Sequence, residues 1–145
     1  MKISTKGRYA LRVMADLAMN DKGDYISLKE VATRQEVPIK YLEQIIPLLS
    51  KAGYLKSTRG NNGGYRLSRQ PRMYTVGDIL RAAEGSLAPV ACLDDPENVC
   101  ERQHECITLE VWEGLYRVIN EYLNNITLEA MVENYRLKQI DNYCI

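Results

Sequence analysis

Three cysteines, Cys92, Cys100 and Cys106, are separated by seven and five residues, and the chain's only histidine, His104, stands two positions before the last of them. Thiols and an imidazole on one short segment can bind soft or borderline metals or carry reversible thiol chemistry. In a cytosolic chain, where thiols stay reduced, metal binding or redox chemistry is favoured over structural disulfides. The spacing is too wide for a zinc knuckle, whose cysteines are separated by about two to four residues. Thiolates assisted by one imidazole or carboxylate can hold an iron-sulfur cluster, and a ligand other than cysteine raises its potential or makes it easier to lose. The competing reading, three free buried thiols, is disfavoured by Glu101, Arg102 and Glu105, which keep the segment in water. Cys144, at the penultimate position, is read as a bystander.

A second chemistry-bearing group lies in Ser27 to Leu67. Ser27 and Glu30 form a capping-box pair that should start a helix with Leu28, Val31 and Ala32 inside. Pro38 fits the first turn of a second helix, in which Leu42, Ile45, Ile46 and Leu49 recur at core spacing. Subtracting that stripe leaves Lys40, Glu43, Gln44 and Pro47 as an outward face. In a DNA major groove, Gln can bond adenine, Glu can accept from cytosine, and Lys can reach guanine or phosphate. Glu36 occupies the turn position where many such helix pairs carry glycine, so the turn must avoid a positive φ or be strained by it. Pro47 removes one backbone bond and should kink the second helix.

Two strand-like runs follow, Tyr54 to Thr58 and Tyr65 to Ser68, joined by Arg59-Gly60-Asn61-Asn62-Gly63-Gly64. Helix, turn, helix, hairpin is the order of a winged helix-turn-helix. Arg59 is placed to enter a minor groove or meet a phosphate, and Gly60 lets the backbone approach closely. Residues 5 to 20 form a further expected helix, capped by Ser4 or Thr5, with Tyr9, Val13, Met14, Leu17 and Ala18 inside. Lys6, Arg8 and Arg12 lie off that stripe as candidate phosphate contacts, and Thr5 and Tyr9 complete the candidate DNA-facing set.

Thr75 and Asp78 should cap a short helix ending at Gly85. Periodicity then stops from Ser86 to Cys106, a length of irregular chain that usually means function. From Ile107 a long helix carries Val111, Trp112, Leu115, Val118, Ile119, Tyr122 and Leu123, a stripe wide enough to need a partner, most economically the same helix of a second subunit. Thr127 should cap a last short helix through Met131 and Val132, and the polar tail beyond Glu133 suggests no chemistry. The expected architecture is mainly α with a small β-hairpin wing: a winged helix-turn-helix plus a long dimerisation helix. Its parts are a DNA-binding domain over 1–85, a sensor loop over 86–106, the dimerisation helix and short following helix over 107–135, and a tail over 136–145.

With 145 residues, 46% of them apolar, the chain can bury one compact core with an extension. No apolar run reaches membrane-spanning length and the N-terminus lacks a signal-like segment, so a cytoplasmic protein without a membrane is expected. The net charge of zero hides a split: residues 1–75 hold 14 Lys and Arg against 6 Asp and Glu, whereas residues 76–145 hold 5 against 13. The basic part suits a polyanion and the acidic part does not.

The opening MKISTKGRYALRVM, the run YLEQIIPLLSKAGYLKSTRGNNGGYRLSR, and the three-cysteine loop ahead of LNNITL together resemble the Rrf2 family of bacterial transcription regulators, specifically its iron-sulfur branch. The resemblance covers residues 1 to about 132. It implies a homodimer that binds a palindromic or semi-palindromic promoter site in double-stranded DNA. A 2Fe-2S cluster would change its affinity or site choice, and the controlled genes would be those of cluster assembly. Cys92, Cys100 and Cys106 transfer as ligands. Where that branch carries a histidine, three residues after the last cysteine, this chain has Leu109, which leaves His104 as the chemical replacement and Glu110 as the alternative.

Two other readings keep the same DNA-binding module: a thiol redox or nitric oxide sensor, and a cysteine-metabolism repressor governed by a partner protein. The latter does not need the loop cysteines. No nucleophile-base pair or phosphate-binding glycine motif points to an enzyme.

Overall fold

The computed structural model describes residues 1–143. Its elements are α1 (Thr5–Met19), α2 (Leu28–Gln35), α3 (Ile39–Lys51), β1 (Leu55–Thr58), β2 (Gly64–Leu67), α4 (Val76–Glu84), α5 (Leu109–Asn124) and α6 (Leu128–Tyr143). The fold is mainly helical with a two-stranded antiparallel hairpin, as expected.

Local chemistry sets most boundaries. Ser4 caps α1, and complete capping boxes start α2 at Ser27/Glu30 and α4 at Thr75/Asp78. Glu36 takes the strained alternative: its φ is +52°. It ends α2 in a Schellman arrangement, in which the Val37 N–H reaches Ala32 O (3.1 Å) and the Glu36 N–H reaches Thr33 O (3.4 Å), while Val37 is buried. Those bonds hold a non-glycine residue in the left-handed region. Pro38 stands one position earlier than expected, as the extended N-cap of α3, and its carbonyl accepts from the Tyr41 N–H (3.0 Å). The helix passes through Pro47 without a break because that residue lies on its exposed side, where water can serve the freed carbonyl of Glu43.

The main core joins Val13, Met14 and Leu17 of α1, Val31 of α2, Leu42, Ile45 and Leu49 of α3, Ile79 of α4, and Leu128 and Val132 of α6. The α5–α6 connection returns to this core: Val76 N–H bonds Ile126 O (2.8 Å) and Leu128 N–H bonds Tyr74 O (2.9 Å). Tyr74, fully buried, also donates its hydroxyl to Tyr54 O (3.0 Å) and accepts from the Arg69 N–H (3.0 Å), which ties the wing to the same junction. Each large apolar side chain buried there stabilises the fold by about 1.5–3 kcal/mol.

The last helix differs from expectation in length. It does not stop near Val132 but continues to Tyr143. Leu128 and Val132 anchor its first turns, and good helix formers such as Glu133, Arg136, Leu137, Lys138 and Gln139 carry it on. Tyr135, Leu137, Ile140 and Tyr143 are all exposed and share no single buried stripe, so the apolar pattern gave no sign of this segment.

Candidate DNA-binding face and cysteine loop

On α3, burial of Leu42, Ile45, Ile46 and Leu49 turns Lys40, Glu43, Gln44 and Pro47 outward, all of them exposed. The face includes a residue that the spacing argument passed over. Tyr41, 48% exposed, meets Tyr9 of α1 edge to face with ring centroids 6.0 Å apart, and the Arg12 guanidinium lies 5.5 Å from the Tyr9 ring centroid. Thr5 and Arg8 are exposed in the first turn of α1 and bonded to each other, Arg8 Nη2 to Thr5 Oγ1 at 3.2 Å. Tyr9 is half-buried. Thr5, Lys6, Tyr9, Tyr41 and Gln44 line one open cavity of about 500 Å³, so the start of α1 and the outward face of α3 are neighbours. Arg12 instead donates to the Gln35 side chain (3.2 Å) and to its carbonyl, and so serves the α1–α2 contact.

The wing is held at its base. β1 and β2 pair from Leu55↔Leu67 to Thr58↔Gly64, and Tyr65 exchanges both backbone bonds with Ile26 in the α1–α2 connection (2.9 and 2.8 Å). That approach needs glycine at 64, because a Cβ there would strike the Ile26 carbonyl. Arg59 and Gly60 lie exposed in the hairpin turn, away from the α3 face in sequence but on the same basic part of the chain.

The loop between α4 and α5 is irregular except for short 3-10 turns over Ala91–Leu93 and Gln103–Glu105. Its cysteines are free: Cys92 is half-buried, and Cys100 and Cys106 are exposed. Cys144 lies outside the described residues. Cys106 sits just before α5, and a hydrogen bond from the Thr108 hydroxyl (3.5 Å), helped by backbone N–H groups of Thr108 and Leu109, draws its thiol pKa down. The thiolate is the metal-ligating and nucleophilic form. His104 and Glu110 are both exposed, close to Cys106 in sequence. Among the described residues no three His, Cys, Asp or Glu side chains are already gathered around one point, so ligation would require the loop to draw its donors together. The donor chemistry, free accessible thiols with imidazole and carboxylate nearby, fits an iron-sulfur cluster in kind.

Helix α5 divides its apolar residues. Tyr116, Ile119 and Leu123 pack with Val76, Leu80 and Leu87 beside α4, and Arg81 Nη2 donates to Asn120 and Asn124 (both 2.8 Å). Val111, Leu115, Val118 and Tyr122 are left 60%, 42%, 57% and 66% exposed. The expected wide stripe is therefore two faces, one used within the chain and one free. No helix among the described residues is long and apolar enough to cross a membrane.

Residues 3–134 match the family described as Rrf2, iron-dependent transcriptional regulator. The chain is 37% identical over 137 residues to "Protein rrf2" of Nitratidesulfovibrio vulgaris, covering 94% of this chain and 91% of that one. Among solved structures it is similar to T. potens IscR, with 41% identity, a TM-score of 0.73 and coverage of 93% and 88%. It is also similar to CymR (YrzC), the global cysteine regulator of B. subtilis, with 36% identity, a TM-score of 0.74 and coverage of 92% and 98%. With the helix-turn-helix, the wing and the match over residues 3–134 in agreement, the chain belongs to the Rrf2 family of helix-turn-helix transcriptional regulators, a family of DNA-binding proteins rather than enzymes.

Proposed function

We propose that this protein is a homodimeric, sequence-specific regulator whose DNA affinity or site choice is set by a 2Fe-2S cluster on the 86–106 loop, and that it controls genes of iron-sulfur cluster assembly. The observation that carries the reading is the set of three free thiols, two exposed and one half-buried, on the one irregular segment between the DNA-binding elements and α5. Cys92, Cys100 and Cys106 would hold the group, with His104 or Glu110 as the fourth ligand. When bound, the cluster supplies a centre that is lost or altered when iron, sulfide or redox conditions change. Lys40, Glu43 and Gln44 would read bases, Arg59 with Gly60 would meet the adjacent groove, and Thr5, Arg8 and Tyr9 would meet the backbone. Pairing through Val111, Leu115, Val118 and Tyr122 would set two such faces about one DNA turn, roughly 34 Å, apart on a palindromic or semi-palindromic site.

Anaerobic purification followed by the visible spectrum, iron and sulfide content, and promoter affinity with and without the cluster tests this. A coloured protein whose DNA binding changes on loading is expected. Protein that stays colourless after loading with iron and sulfide, or binds DNA identically in both states, overturns the reading.

A second reading, thiol redox sensing, is supported by the free cysteines of the loop and by the thiolate-favouring setting of Cys106. In it the thiols act without iron, two of them joining as a disulfide while two protons and two electrons pass to a peroxide. Peroxide-dependent DNA binding in iron-free protein would favour it.

A further inference from the structure

Glu84, the last residue of α4, places its carboxylate on the first turn of α1. Its Oε1 accepts from the Ser4 N–H (2.9 Å), the Ser4 hydroxyl (2.6 Å) and the Gly7 N–H (3.1 Å). An acid at a helix C-terminus opposes that helix's own dipole, whereas on the free N–H groups of another helix's first turn it is favourable. Helix α1 has no acid of its own in that turn and receives one from a residue 80 positions away. The seat requires glycine at 7, because a Cβ there would strike Glu84 Oε1.

Both sides of this contact lead to functional segments. On one side, Thr5, Lys6 and Tyr9 of α1, Tyr41 and Gln44 of α3, and Glu84 itself line the same cavity. On the other, Gly85 opens the cysteine loop immediately after Glu84. Two residues further on, Leu87 is buried with Val76 and Leu80, and Ile3, the neighbour of Ser4, packs on that cluster. The start of the loop and the start of α1 thus touch twice, through a carboxylate and through an apolar cluster.

We propose that Glu84 is a positioning residue that passes the state of the cysteine loop to the first turn of α1 and, through Tyr9 and Tyr41, to α3. This rests on the reading that the loop is the sensor. Drawing the cysteines together pulls on the segment that begins at Gly85, and the carboxylate hooked on Ser4 and Gly7 makes the DNA-facing turn follow.

The test uses the full chain as wild type, Glu84→Ala, Glu84→Gln and Gly7→Ala. DNA affinity is measured at fixed salt, before and after anaerobic loading with iron and sulfide, on one duplex selected from random sequence by the wild type. Iron content and amide hydrogen exchange in residues 4–7 are read on the same samples. For wild type, loading should change affinity by about 5 to 150-fold, the usual span of allosteric coupling. Glu84→Ala should load iron normally, exchange faster in residues 4–7, and show a loaded-to-free ratio near one. Gly7→Ala, which favours the helix while evicting the carboxylate, should do the same, so the test does not depend on one variant folding. Glu84→Gln keeps an acceptor oxygen and should retain most of the ratio. A general loss of stability would not remove the ratio selectively. If Glu84→Ala and Gly7→Ala keep the wild-type ratio despite faster exchange, the coupling is overturned and the sensor reading stands. If wild type itself does not respond to loading, the sensor reading fails and the coupling falls with it.

Discussion

Arg34 and Asp16 meet as a two-pronged pair across the α1–α2 contact: Arg34 Nη2 lies 2.8 Å from Asp16 Oδ1 and Nε lies 3.1 Å from Oδ2. Asp16 is 1% exposed, and Gln35 Nε2 adds a third bond at 2.9 Å. A buried carboxylate is tolerable only when it is this fully paired. It fixes α2, and hence the turn into α3, against α1. Asp16→Asn should lower stability by about 2 to 3 kcal/mol, below the range for a wholly buried pair, because the Arg34 side chain keeps 36% exposure. The urea midpoint, read beside DNA affinity, checks this, and an unchanged midpoint would remove the clasp from the account.

Glu36→Gly should act in the opposite direction. A left-handed residue with a Cβ costs about 1–2 kcal/mol, partly offset in the variant by glycine's freedom in the unfolded chain, so a gain of about 1 kcal/mol is expected. Denaturation that shows a loss would mean the Glu36 side chain contributes more than its backbone strain.

Arg59→Ala should weaken DNA binding by about 1 to 3 kcal/mol, the worth of one charge-assisted groove contact. Glu43→Ala should instead change which sequences bind, since a carboxylate in a groove repels phosphate and is useful mainly for discrimination. Titrations against a panel of duplexes at fixed salt separate the two. Equal shifts on every duplex would argue against base reading by Glu43.

The free face of α5 should be a subunit contact. Leu115→Glu combined with Val118→Glu places two charges on that face while sparing Tyr116, Ile119 and Leu123, which pack within the chain. Sedimentation should show dimers for the parent and monomers for the variant, with helical content unchanged. A dimeric variant would put the contact elsewhere.

Cys106 should be labelled by iodoacetamide at lower pH than a free thiol. Its pKa is drawn down, so at any pH below the ordinary thiol range a larger share is thiolate. Thr108→Val, which removes the first cause of that shift, should move the labelling midpoint upward. Site-resolved mass spectrometry across pH 6 to 9, roughly the range bracketing thiol ionisation, reads both proteins.

What was legible from sequence follows the range of the interactions involved. Ser27/Glu30 and Thr75/Asp78 act within four residues, and the glycine-rich link between β1 and β2 acts within one turn, so these marked the helix starts and the wing correctly. The outward set on α3 followed from subtracting a buried stripe. Asp16, Tyr41 and Glu84 escaped because their partners are Arg34, Tyr9 and Ser4, fixed only by tertiary packing. Helix α5 read as a single wide stripe because spacing shows that seven residues are apolar, not that α4 covers only some of them. The candidate ligand residues of the loop carry no local geometry to read, since irregular chain has no period.

The return of Leu128 and Val132 to the core has a consequence for how the chain would come apart. Both are buried in the core that α1 helps to form, while the acidic, exposed stretch from Asp94 to Glu97 lies between the two contributions. A protease that cut this stretch would produce two polypeptides, yet the body of the protein would remain one object: the second fragment would stay plugged into the first by those two side chains and by the backbone bonds at Tyr74 and Val76. Separating the fragments would expose apolar surface worth about 1.5–3 kcal/mol per large side chain, so the nicked protein should migrate intact until it is denatured.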